Sequence, residues 1–318
     1  MKDAVTKIKS ALASKDMGAF LNHYLIADGE ILATDGRITA GYPSDCGVSA
    51  LVPGPELEAL VGRLADDLTV TAQENAIKLA SGRMHGTIQT LPPDSVVFHR
   101  PEGEWRKPPA NFIEALRHAR PFIADQSVQQ WALCACMRSG AILASNNISL
   151  VMVECPGLES DVDILLPSRA VDFVLGAKAP LTEYIVNENH AAFMWEDGLW
   201  LRAQLVIGAF PTAASNLLAQ QTDTTVAFTK EWKKAYTSVA GISESIITIE
   251  PERIVGGKGK ARVEHETPMP ELAASIHFNP KFLDNVVNVA THWEPSCYPK
   301  PIPFRGPGLY GLVMGRQQ

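Results

Sequence analysis

Ile276-His277-Phe278-Asn279-Pro280-Lys281-Phe282-Leu283-Asp284-Asn285-Val286-Val287 reads as a short apolar strand, a proline step and an amphipathic helix. The same phrase stands twice more. It is Ala50-Leu51-Val52-Pro53-Gly54-Pro55-Glu56-Leu57-Glu58-Ala59-Leu60-Val61 near the start and Ile164-Leu165-Leu166-Pro167-Ser168-Arg169-Ala170-Val171-Asp172-Phe173-Val174-Leu175 near the middle. The prolines at 53, 167 and 280 set a period of roughly 110 residues, the size of a domain rather than of a solenoid unit. Three similar domains are expected, over 1–97, 110–214 and 215–318, with 98–109 as a linker inside a Pro- and charge-rich stretch.

The pattern around each phrase is helix, strands, helix, strands. In the first repeat a helical period spans 3–13, and Asp28-Gly29 joins two alternating runs as a hairpin signal. In the second, a helix over 110–118 stops before Pro121 and a strand is expected over 129–137. In the third, Thr229 is placed to cap a helix over 230–239. The second repeat reads as ending at Gly208-Ala209-Phe210-Pro211-Thr212. Two helices on a mostly antiparallel sheet, three times over, is an α+β class.

The chain has 318 residues, 46% hydrophobic and 20% charged, with a formal net charge of −7. That charge argues against a surface coated for DNA but leaves room for a basic stripe on an acidic body. Five cysteines without a regular framework suit a reducing compartment. No apolar run is long enough for a bilayer span and Met1–Lys7 lacks a signal-peptide core, so a cytoplasmic protein off the membrane is expected.

Chemistry is hard to find. No histidine pair has metalloprotease spacing, and there is no G-x-S-x-G. Cys134-Ala135-Cys136 lies in an apolar strand and reads as core cysteine rather than a metal hook. Gly256-Gly257-Lys258-Gly259-Lys260 lacks phosphate-loop spacing and precedes a strand, so it reads as a hairpin tip. Neither a catalytic site, a metal nor a cofactor is expected.

With the repeats in hand, the chain resembles the DNA polymerase III beta subunit, the bacterial-type sliding clamp. Ile31-Leu32-Ala33-Thr34-Asp35-Gly36-Arg37 and its echo Ile142-Leu143-Ala144-Ser145-Asn146-Asn147-Ile148 carry the likeness. Leu205-Val206-Ile207-Gly208-Ala209-Phe210-Pro211 is similar to the family's L-V-x-G-x-F-P, Phe278 to Leu283 to its F-N-x-x-Y-L, and Tyr310 to Arg316 to its closing segment. The resemblance implies a non-enzymatic, head-to-tail homodimer: six domains in a ring around duplex DNA, gripped without regard to sequence. It also implies a groove that docks polymerase and clamp-loader peptides.

A ring lining needs positive charge that meets phosphates weakly. The resemblance places Lys2, Lys7, Lys9, Lys15, Arg63, Arg117, His118, Arg120, Arg169, Lys178, Lys230, Lys233, Lys234 and Lys281 on or beside inner helices. It places Lys15 and Gln126 at the rim, and Gln130 and Trp131 where the family has two tyrosines, with Trp131 able to stack on a base. For the peptide groove it implies Leu150, Pro211, Val313, Met314 and Arg316. The match fails at Ser145-Asn146-Asn147-Ile148-Ser149-Leu150, where the family's T-D-G-H-R-L has His and Arg, and at Gly315-Arg316-Gln317. It also lacks the family's strand before the first helix. That divergence suggests a phage-like clamp with its own polymerase. It leaves an alternative: a clamp-fold adaptor or decoy that binds a replication or repair protein without encircling DNA. Acidic residues such as Asp66 and Asp172 facing the hole would favour it.

Overall fold

A computed structural model describes residues 1–13, 20–64 and 68–316. The first repeat runs α1 (Lys2–Ile8), β1 (His23–Ala27), β2 (Glu30–Thr34), β3 (Ile38–Pro43), β4 (Ala50–Pro53), α2 (Gly54–Val61), β5 (Thr69–Gln73), β6 (Ala76–Ser81) and β7 (Met84–Gln89). The second runs α3 (Phe112–Ala119), β8 (Cys134–Arg138), β9 (Ala141–Ser145), β10 (Ser149–Glu154), β11 (Ile164–Pro167), α4 (Ser168–Gly176), β12 (Leu181–Val186), β13 (His190–Trp195) and β14 (Trp200–Gln204). After α5 (Thr212–Ala219) and β15 (Val226–Ala227) comes the third. It runs α6 (Lys230–Ala240), β16 (Ile247–Ile249), β17 (Arg253–Lys258), β18 (Ala261–Glu266), β19 (Ile276–Phe278), α7 (Pro280–Val289), β20 (His292–Trp293), β21 (Ile302–Gly306) and β22 (Leu309–Val313). Helix, four strands, helix, three strands is spelled three times.

At each quoted phrase a strand gives way to a helix: β4 to α2, β11 to α4, β19 to α7. At Pro280 the ring stands at the first helical position, where the missing N–H has no intrahelical partner to lose. Asn279 caps α7, its Oδ1 accepting the Lys281 N–H at 3.0 Å, and Thr229 caps α6 through the Trp232 N–H at 3.1 Å. The first helix of every repeat packs on that repeat's third strand: α1 on β3, α3 on β10, α6 on β18. Its apolar stripe is the reason. Phe112, Ala115, Leu116 and Ala119 are buried on α3, and Trp232, Ala235, Tyr236 and Val239 on α6. Each large side chain so buried contributes about 1.5–3 kcal/mol.

The chain forms two compact units, Met1–Pro108 with Arg169–Leu205, and Pro109–Ser168 with Val206–Gln318. Unit 1 holds an antiparallel sheet in the order β12-β13-β14-β3-β2-β1-β4 and a smaller one, β5-β6-β7. Unit 2 holds β11-β8-β9-β10-β22-β21-β20-β15 and β18-β17-β16-β19. The compact units cut across the repeats, because β14 of the second repeat pairs with β3 of the first, and β22 of the third pairs with β10 of the second. The stretch expected as a linker is pinned to unit 1: Arg106 and Tyr184 exchange backbone hydrogen bonds of 2.9 and 2.8 Å.

Three local expectations need correction. The first helix ends at Ile8 and tightens into a 3-10 turn, Lys9–Ala11, before Leu12 goes extended. Residues 130–133 form a 3-10 turn, and the strand begins at Cys134. That turn lets neighbouring Trp131 and Ala132 both pack inward, which an alternating strand forbids. Helix α5 has no counterpart among the expected helices, because its eight residues Thr-Ala-Ala-Ser-Asn-Leu-Leu-Ala carry no charge to mark a polar face. The Gly-Lys stretch is the expected hairpin tip, with Gly259 at φ +58° between β17 and β18. Among the described residues no helix is long and apolar enough to cross a membrane.

Gly311 shows how tightly β22 is held. A Cβ there would lie 2.2 Å from Phe304 Cζ and 2.6 Å from the Leu150 carbonyl oxygen. Gly311→Ala should therefore lower unfolding free energy by about 1–3 kcal/mol in urea titrations, the cost of overpacking. An unchanged midpoint would mean that β22 can withdraw from β10 freely.

Candidate peptide groove and basic helix faces

Several expected lining cations are committed within their own unit. In unit 1 Lys7 donates to Asp197 at 2.7 Å and to the Tyr42 hydroxyl at 2.8 Å, and pairs with Asp3 at 2.8 Å. Burial opposes its charge, but the hydrogen bonds to Asp197 and Asp3 outweigh that and hold its pKa above the ordinary lysine value. Arg169 pairs with Asp35 at 2.5 Å and donates to the carbonyls of Ser10 and Leu12 at 3.0 and 2.6 Å. It staples the end of the 3-10 turn to the β2–β3 turn. In unit 2 Lys233 donates to the carbonyls of Val287 and Ala290 at 2.6 and 2.9 Å, closing the C-terminal end of α7. Lys281 pairs with Asp125 at 2.7 Å, and Arg117 and His118 both pair with Glu114.

Five others are less engaged. Lys9, Arg63, Lys178, Lys230 and Lys234 are exposed, with no ion pair among the described residues. Exposed Lys2 donates to the Leu64 carbonyl at 3.5 Å. Lys9, Lys178 and Arg169 line a cavity of about 460 Å³ together with Asp172, Phe173 and Leu199, so acid and base share that surface. Arg120 and Gln126 line a polar cavity of about 550 Å³ with Lys281 and Asn285. Gln130 is exposed, whereas Trp131 is half-buried with its ring edge-to-face on Phe210 at 5.5 Å. Trp131 therefore belongs to the rim of the apolar core. Lys15 and Asp66 lie outside the described residues.

That core is the second feature. Cys134, Cys136, Leu143, Leu150, Leu165, Phe210, Leu218, Tyr310 and Leu312 form one buried cluster in unit 2. Both cysteines are fully enclosed, and burial pushes each thiol up to about 12, so neither is a thiolate at neutral pH. No group of three or more His, Cys, Asp or Glu side chains is placed to hold a metal among the described residues. Half-buried Trp131, Ala141, Met152, Val206 and Ala214 pack against the cluster, and apolar residues also stand one or two positions along the chain from its members. Pro211 and Met314 are half-buried, and Ile148 and Leu217 are 38% and 41% exposed.

Val313 does not share that exposure. It is fully enclosed, while Leu312, one residue earlier, faces the cluster opposite Leu150, because side chains alternate along β22. Leu312, and not Val313, belongs to that cluster. Arg316 is exposed, its N–H donating to the His277 carbonyl at 2.6 Å. Leu217, Leu218 and Leu312 are absent from the sequence-based set of groove residues. The apolar pair Leu217-Leu218, shortly after Pro211, is the signal that could have found the first two.

Unit 1 repeats this backbone with other side chains. Arg202 stands opposite Thr39 as Leu312 stands opposite Leu150. The Gln204 N–H donates to the Arg37 carbonyl at 2.8 Å, as the Met314 N–H does to Ile148 at 2.8 Å. Thr39, Arg202 and Gln204 thus occupy the positions of Leu150, Leu312 and Met314. The strand pairing does not require apolar residues there, yet unit 2 has them.

No family model and no curated protein matches the chain. Solved structures do. The sliding clamp (DNA polymerase III subunit beta) of Bartonella birtlesii, bound to griselimycin, superposes with a TM-score of 0.84 at 15% identity, covering 100% of this chain and 97% of that one. The DNA polymerase III beta subunit of Thermotoga maritima gives 0.80 at 19% identity, with the same coverage. The Helicobacter pylori beta clamp bound to a DNA ligase peptide gives 0.78 at 15% identity, covering 99% and 97%. Over its whole length the chain has the fold of the bacterial DNA polymerase III beta sliding clamps.

Proposed function

We propose that the chain is a DNA sliding clamp, a ring without enzymatic activity or cofactor that tethers a replicative DNA polymerase to duplex DNA. One observation carries this reading: a pairing rule that a single chain leaves unfinished. The third strand of one repeat pairs with the last strand of the next, β3 with β14 and β10 with β22. By the same rule β18 should pair with β7, and each ends its own sheet without that partner. An open strand edge is a template for another chain. A second copy related head to tail supplies both missing partners, and the two new seams close a ring of six repeats. This narrows the dimer contact, expected from the sequence near 68–84 and 252–265, to β7 and β18. Three clamp domains per chain, over 1–97, 110–214 and 215–318, are part of the same reading.

In this ring Lys9, Arg63, Lys178, Lys230 and Lys234 supply the mobile positive charge for DNA, with Arg120, Gln126 and Gln130 at the rim. The apolar margin around Leu150, Pro211, Leu312 and Met314 docks peptides of the polymerase and clamp loader, and the exposed Arg316 guides them. A cytoplasmic, phage-encoded clamp fits the absence of the His and Arg that the family places at this groove. The adaptor or decoy reading has one observation in its favour: Lys7, Arg169, Lys233 and Lys281 are already engaged, and Asp172 shares the surface of Lys9 and Lys178.

The two readings part on topology. Dimerised in the presence of nicked circular plasmid, a clamp should stay with the DNA in salt that strips phosphate-bound protein, and leave when the plasmid is linearised. Release that ignores linearisation would support the adaptor. For the groove, Met314→Asp should weaken binding of griselimycin about tenfold or more, since a carboxylate would be desolvated there. Calorimetry showing equal affinity for the variant and the parent would place the ligand elsewhere.

A further inference from the structure

The α5 wall of the groove hangs on one carboxylate. Asp163 accepts Arg138 Nε–H and Nη2–H at 2.9 Å each, a bidentate pair, and its Oδ2 also accepts the Phe210 N–H at 2.9 Å. Arg138 spends its remaining arm on α5, where Nη1 donates to Ser215 Oγ at 3.1 Å, and that hydroxyl donates on to the Pro211 carbonyl at 3.4 Å. The pair therefore joins the end of β8, the approach to β11, the Phe210-Pro211 elbow and α5. The Asp163 side chain is 16% exposed and that of Arg138 34%.

Helix α5 needs such help. Eight residues are too few to hold a helix in water, its first turn has no side-chain cap, and Leu218 is its one buried residue. A half-buried ion pair is a poor way to add stability, since apolar residues of similar volume often do as well. What the fork adds is geometry, because two parallel hydrogen bonds fix direction as well as distance.

The internal repeats act as controls. Arg138 stands opposite Ala141 as Ala27 stands opposite Glu30. Asp163 directly precedes Ile164, which pairs with Met137, as Ser49 precedes Ala50, which pairs with Ile26. In the third repeat the corresponding residues are Glu250 and Ser275. Same backbone, no clasp: the pair occurs only in the repeat whose sheet end is apolar and followed by α5.

We propose that Arg138 and Asp163 are positioning residues for peptide docking, setting the Phe210-Pro211 elbow and α5 at the distance from β10 and β22 that the docked segment needs. This rests on the groove reading above. The test restores the first repeat's residues as Arg138→Ala, Asp163→Ser and the double variant, using griselimycin as the probe and backbone amide exchange as a second readout. Each single variant should bind about tenfold more weakly, the loss of a charge-assisted hydrogen bond, and the double variant no more weakly than the singles. Exchange should quicken over 208–219 alone, with the thermal midpoint of the double variant nearly unchanged, and Asp163→Asn, which keeps an acceptor for Phe210, should fall between. Unchanged exchange over 208–219 would overturn the proposal, as would acceleration spread over all of unit 2, which marks a purely structural pair. If the parent protein itself does not bind griselimycin, the groove reading fails for that ligand, and the exchange pattern alone still decides whether the clasp holds α5.

Discussion

Strand edges govern this molecule. A backbone N–H or C=O without a partner costs free energy wherever water is kept away, and an exposed edge invites a stranger. Within the chain two such edges are closed by pairing successive repeats, at β3–β14 and β10–β22. These pairings give each compact unit a continuous antiparallel sheet, against which α1 and α3 lay their apolar stripes, while α6 packs on the smaller sheet of β16 to β19. They also decide what the sheet ends can present. Where β10 meets β22 the side chains are Leu150 and Leu312; where β3 meets β14 they are Thr39 and Arg202. One backbone arrangement carries an apolar pair in one unit and a polar pair in the other.

Charge tells a more divided story. The chain carries 28 basic and 35 acidic residues, so any attraction for DNA has to be local. Lys7, Arg169, Lys233 and Lys281 are used to fasten helices, turns and carbonyls within their units. The exposed lysines on α6 and beside α1 and α4 have no ion pair among the described residues, and they are the charges that the proposed ring would offer to phosphates. A sliding clamp needs weak, redundant contacts, and a sparse set of exposed lysines suits that requirement better than a dense basic patch.

The strand-proline-helix phrase makes the repeat legible in the sequence, because proline at a helix start and a cap such as Asn279 leave local signatures. The pairings between repeats are not legible there. Nothing local in Ile38-Thr39-Ala40 says that its neighbour is Trp200-Leu201-Arg202, far along the chain. For the same reason the sequence does not tell that Leu312, and not Val313, joins the cluster, since the face that a residue takes depends on a register set by the partner strand. Helix α5 and the Arg138–Asp163 clasp are hidden too. The first lacks a polar stripe, and the second joins residues far apart in sequence.

The ring stands or falls on whether β7 and β18 complete the pairing rule with a second copy. Sedimentation velocity of the purified chain at micromolar concentration measures this directly. A closed ring predicts one species with twice the mass of the chain, which falls to the monomer mass when proline removes an outward-facing N–H of β18. A species that stays monomeric across the concentration range would contradict the ring, and with it the sliding clamp.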